Sequence, residues 1–183
     1  MRRKYVLKGK DSGFSLVELL VAIAIVGILA GIATPNLIAW LPNFKLRSAA
    51  RDVYSNFQKA KLTAIKQHCL CTITFRQPVG GTTYDYVVFI DSDNDMEYDD
   101  GERTIAQILL SGYNGIRFDT SQDGDGLTFN NLNNDGLPAT AFRTNGLPRN
   151  NAGGFGSGRV YLINTRNRTQ EIILSPAGTL RIE

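Results

Sequence analysis

The chain has 183 residues, with 20 Lys and Arg against 17 Asp and Glu and a formal net charge of +3. Five of the cations (Arg2, Arg3, Lys4, Lys8, Lys10) lie in the first 13 residues with Asp11 as the acid there, so the other 170 residues carry −1. That balance excludes nucleic-acid binding by bulk charge, and a single histidine with two cysteines excludes a His/Cys metal cluster. The length suits one medium-sized domain with an anchor.

The stretch GFSLVELLVAIAIVGILAGIATP, residues 13–35, is an apolar run about as long as a bilayer core is thick at the helical rise. One ionisable group, Glu18, interrupts it, and a carboxylate inside an apolar helix is expensive enough to need a partner. The run exceeds an ordinary signal-peptide core and no small-residue cleavage site follows it. Lys and Arg before a span stay cytoplasmic, which places the C-terminal part outside the cytoplasm.

From residue 14 to about residue 67 the sequence predicts one long helix in two halves. The first is apolar all round, as a membrane span should be. Residues 36–43 are a transition with Trp40 at interfacial depth, and Pro35 and Pro42 are expected to kink or loosen the helix. The second half carries a stripe of Leu46, Ala49, Ala50, Val53, Phe57, Ala60 and Ala64 at three- and four-residue spacing. Arg47, Arg51, Lys59, Lys61 and Lys66 occupy its other face.

After Cys69 the period changes to two. Strands are predicted over 71–75, 84–90, 104–110, 116–118, 127–129, 141–143, 159–163, 170–174 and 179–182. Their separators, such as Pro78-Val-Gly-Gly and Asp123-Gly-Asp-Gly, are rich in turn residues, and part of residues 130–158, rich in Gly and Asn, reads as a mobile exposed loop. Cys69 and Cys71 would share one face of a strand near the upper limit of disulfide reach; two buried thiols are preferred to a strained bridge. Charge is segregated: residues 44–84 carry +6, residues 85–135 carry −10 and residues 136–183 carry +4. Such patches suit subunits that stack in one register, and equally suit solvated loops.

Gly13, Phe14, Ser15, Leu16, Val17 and Glu18 together resemble the prepilin signal of type IV pilins and type II secretion pseudopilins. RSAARDVYSNFQKAKLTAIKQ (47–67), VVFIDSDNDMEYDDGE (87–102) and EIILSPAGTLRIE (171–183) narrow the resemblance to the GspH/FimT group of minor pseudopilins and minor pilins. The resemblance implies an α+β, type IV pilin-like fold: a long N-terminal helix packed on a C-terminal antiparallel β-sandwich-like domain. It divides the chain into a cleaved leader (1–13), a membrane and assembly helix (14–35), an amphipathic continuation (36–67) and a periplasmic β-rich domain (68–183). It implies cleavage by a prepilin peptidase between Gly13 and Phe14, methylation of Phe14, and pairing of Glu18 with a neighbouring subunit's N-terminal amine. The implied partners are other pilins or pseudopilins, an inner-membrane assembly platform and membrane lipid.

Two further sites are candidates. Asp91, Asp93, Asp95, Asp99 and Glu102 fall at positions 1, 3, 5, 9 and 12 of a twelve-residue calcium loop, with Met96 where the glycine of the sharp turn belongs. Calcium is therefore the candidate cofactor, against a plain solvated loop. Arg143, Arg149, Arg159, Arg166, Arg168 and Arg181 could read phosphate. Some FimT-like minor pilins bind DNA through a Gly-Arg-x-Arg motif; here Gly178-Thr-Leu-Arg181 lacks its first arginine and Gly158-Arg159-Val-Tyr161 matches half, so Arg159, Arg166, Arg168 and Arg181 serve the less favoured reading. No P-loop, nucleophile elbow or metal-ligand cluster points to an enzyme. His68, at the end of the predicted helix, reads as a residue that caps or packs, and Asp123 and Asp125 as turn residues.

Overall fold

A computed structural model describes residues 13–129 and 132–183. The basic leader, residues 1–12, lies outside the described residues. Helix α1 (Leu16–Gln67) continues through both Pro35 and Pro42. The β-strands follow as β1 (Leu70–Phe75), β2 (Pro78–Val79), β3 (Thr82–Thr83), β4 (Tyr86–Asp91), β5 (Arg103–Ile108), β6 (Arg117–Phe118), β7 (Ala139–Phe142), β8 (Pro148–Arg149), β9 (Gly158–Ile163), β10 (Thr169–Leu174) and β11 (Leu180–Ile182). A 3-10 turn (Leu110–Tyr113) follows β5. The described residues up to Trp40 and those from Leu41 to Glu183 form two compact units.

Within the second unit the strands build two antiparallel sheets, ordered β5-β4-β1-β7-β8 and β11-β10-β9-β6, with β2 and β3 as a small separate hairpin. Central strand β1 is buried at every residue, because β4 and β7 flank it and both its faces are covered. All seven predicted stripe residues, Leu46 to Ala64, are buried in one core with side chains from both sheets. The amphipathic half of α1 is thus the third layer of that core. Phe57 is its centre, with ring centroids 6.3, 6.2 and 6.5 Å from Phe75, Phe129 and Phe142.

Polar contacts fix the helix at several heights. The Asn43 side-chain oxygen accepts from Asn164 Nδ2 at 2.9 Å, and Asp52 accepts from the Tyr113 hydroxyl at 2.5 Å. Asn56 Nδ2 donates to the Tyr86 hydroxyl and Lys61 Nζ to the Gly178 carbonyl, both at 2.8 Å. Buried polar groups cost free energy unless paired, so these bonds select one docking of helix on sheets.

Three expectations change. Pro78–Gly81, expected only as a turn, supplies β2 and the turn of a β2-β3 hairpin. Leu127 makes an isolated bridge to Val160 rather than a strand over 127–129. Residues 132–157 hold β7, where a strand is expected over 141–143, then β8 and a tight turn in which Asn150 Oδ1 accepts from Gly154 at 2.8 Å. That turn closes on Gly156, whose Cα lies so near the Arg149 carbonyl that a Cβ would collide with it. Both cysteines are free thiols, but Cys69 is only half-buried. Burial, then the charges of Cys69 and Asp91, push the Cys71 thiol up to about 12.

Candidate functional site

The apolar segment Leu16–Thr34 has mean hydropathy 2.7 and buries none of its residues within the chain. Phe14 is 81% exposed. An apolar helix without a protein neighbour on any side demands hydrocarbon or other helices around it. Thr34 donates its hydroxyl to the Ala30 carbonyl at 2.7 Å, which leaves it no unsatisfied polar group to carry into such surroundings. Glu18 lies in the first turn, where the helix dipole favours an anion, and it makes no ion pair with a described residue.

At the other end of the chain's charge pattern is the loop after β4. Asp91, Asp93 and Asp95 hold carboxylate oxygens within 4.8 Å of one another; the group does not extend to Asp99 or Glu102. Two ligands on opposite sides of a calcium ion stand roughly 4.8 Å apart, so the spacing fits such a cation. Asp91 is buried and accepts from Asn94 N–H at 2.7 Å, Met96 N–H at 2.9 Å and Thr72 Oγ1 at 2.9 Å. Burial pushes its carboxyl above the usual carboxylate range, and the three hydrogen bonds oppose the shift. Glu102 closes the loop by accepting from Ser92 N–H at 2.7 Å and Asp99 N–H at 3.3 Å.

Met96 takes the left-handed backbone at φ 67°, the conformation for which a calcium loop keeps its glycine. A side chain there costs about 1–2 kcal/mol. Met96 is fully buried against Leu70, Ala139 and Ala141, and its carbonyl accepts from buried Asn133. Burying a methionine yields about 1.5–3 kcal/mol, so packing offsets the strain and the turn survives the substitution.

The candidate phosphate-reading arginines do not form one surface. Arg159 and Arg181 both lie opposite Ile173 across the β9-β10-β11 ladder, and each has a carboxylate, Glu171 at 2.7 Å and Glu183 at 3.2 Å. Arg166 and Arg168 occupy the β9-β10 turn, beyond the other end of β9 from Arg159. Arg143 and Arg149 are spent on the carbonyls of Gly153 and Asn94.

Residues 8–34 match the prokaryotic N-terminal methylation motif, and residues 49–178 match the family described as type II transport protein GspH. This chain belongs to the GspH family. With the N-terminal methylation motif ahead of the GspH match, the chain has the make-up of a pilin-type protein. The pilin-like protein PilA1 of Thermus thermophilus is 35% identical over 92 residues, 49% of this chain and 54% of the relative. The chain thus spans about half the length of that relative. No solved structure matches. The methylation motif covers Gly13, Phe14 and Glu18, while the GspH match covers the acidic loop and the strands around it. Sequence reasoning missed one grouping: the turn carrying Arg166 and Arg168 lies beside Asn43 of α1, a contact across 121 positions with no local signal.

Proposed function

We propose that this GspH-family chain is a minor subunit, at or near the tip, of a type II secretion pseudopilus or type IV pilus. One observation carries the reading: a fully exposed apolar helix with a single carboxylate leads into a domain whose own core is complete. Such a helix is built to change neighbours, first lipid and then the helices of other subunits. Prepilin peptidase cuts between Gly13 and Phe14 and the new amine is methylated. The β-rich domain stands on the periplasmic side, opposite the leader's cations. An assembly platform in the inner membrane then lifts the subunit into a helical bundle, where Glu18 pairs with the amine of an adjacent subunit and sets the axial register. The tip position follows the resemblance to the minor group. Gold labelling of an epitope on the β domain should mark one end of isolated filaments; label spread along the shafts would refute that position.

The acidic loop serves the same domain as a cation-held brace. Asp91, Asp93 and Asp95 would supply carboxylate ligands to calcium, and the ion would relieve their mutual repulsion. Titration calorimetry of the full chain in detergent should show heat of binding at millimolar calcium that Asp93→Asn removes. No heat with the unaltered chain would refute the brace.

A further inference from the structure

The second unit carries a second group of cations that the assembly reading does not use. Asn164 Nδ2 donates to Asn43 Oδ1 at 2.9 Å and fastens the β9-β10 turn to α1. Asn164 Oδ1 in turn accepts from the backbone N–H groups of Arg166 and Arg168, at 2.9 and 3.0 Å, which shapes that turn. Arg47 follows Asn43 by one helical turn, so it neighbours the Asn43 position on α1, and Arg51 stands one turn further on. Arg117 on β6 lies opposite Ile163, the residue before Asn164. Beside it, Gly115 at φ 91° presses so closely on Thr165 that a Cβ would overlap the threonine methyl.

These contacts bring Arg117, Arg166 and Arg168 to one end of the unit, with Arg47 and Arg51 on the turns of α1 that follow Asn43, and all five are exposed. None makes an ion pair with a described residue. Asp52, the acid next to Arg51, is already bonded to Tyr113. Leu41 and Phe44, 45% and 50% exposed, stand at the same end, where the chain enters the unit. The apolar span ends at Thr34, ten residues before Phe44 in the chain.

We propose that these five arginines, with Leu41 and Phe44, form a docking surface for anionic phospholipid headgroups that holds the domain on the bilayer before assembly. The inference rests on the reading that the apolar helix lies in a membrane. Guanidinium pairs bidentately with phosphate, and aromatic and aliphatic side chains settle at the headgroup boundary. Each cation near an anionic bilayer is worth about a fivefold gain in affinity. The anchor makes the encounter intramolecular, so headgroups outcompete any partner that must arrive by diffusion. Leaving the bilayer then requires releasing this contact, which links extraction to lipid charge.

The test uses the full mature chain in nanodiscs at one copy per disc, of phosphatidylcholine alone or with roughly one-third phosphatidylglycerol. Amide hydrogen exchange over residues 114–118 and 164–168 should slow only in the anionic discs, and high salt should reverse the slowing. Arg166→Gln with Arg168→Gln should cut that protection about thirtyfold, the effect of two cations at an anionic surface. Lys66→Gln, at the far end of α1, should leave it unchanged, and an unaltered melting temperature would show that the double variant is folded. Equal protection in both lipids overturns the proposal. So does protection that needs added duplex DNA or a second copy of the chain. A chain recovered outside the discs instead overturns the membrane anchor itself.

Discussion

Glu18→Ala is expected to abolish incorporation into filaments while cleavage after Gly13 proceeds. The residue lies in the first turn of α1, within the exposed apolar segment, and has no ion-pair partner among the described residues. An apolar helix slides along other apolar helices with little preference for one axial position, because hydrophobic contact is non-directional. One buried charge pair supplies the missing preference. Removing one member strands the other, at roughly 3–5 kcal/mol, more than a hundredfold in an equilibrium constant. Crosslinking of the variant to neighbouring subunits in cells measures the loss, and crosslinking at the normal level would refute the pairing.

Phe57→Ala is expected to destabilise the second unit by about 3–5 kcal/mol, the range for removing a buried ring. The ring is 1% exposed and stands among Phe75, Phe129 and Phe142, and Phe75 and Phe129 themselves stack at 5.3 Å. These contacts join α1 to β1, β7 and the segment bridged to β9 at Leu127, so the cavity opens where three layers meet. Domain stabilities are typically 5–15 kcal/mol, and the loss would be a large part of that. Urea unfolding of the variant should show the lower midpoint. Leu62→Ala, five residues on but 49% exposed, should stay within about 0.5 kcal/mol of the unaltered chain.

The parts of the molecule that were readable in advance are those with local causes. The helical stripe from Leu46 to Ala64 follows from side-chain period alone, and every member is in the core. Strands β1, β4, β9 and β10 were found close to their bounds because β-branched and aromatic runs mark them. The β2-β3 hairpin was hidden by the turn chemistry of its own Pro78 and glycines. Strand β8 is two residues long and owes its place to pairing with β7, which sequence spacing does not encode. At the acidic loop the carboxylate spacing was legible. Met96 replacing glycine spoke against the turn, and only the pocket formed by Leu70, Ala139 and Ala141 explains why it forms. The arginines misled in the opposite way: a shared residue type suggested one surface, but the hairpin between Arg159 and Arg168 separates them. The basic end around Asn164 went unseen because it depends on strand order and on the Asn43 contact.

Assembly of this kind requires a subunit that enters the membrane with a leader and leaves it with a phenylalanine amine. Intact mass spectrometry of the chain purified from cells with active prepilin peptidase tests this most directly. The expected mass is that of a chain beginning at Phe14 with one added methyl group. A mass that still includes residues 1–13 would contradict it.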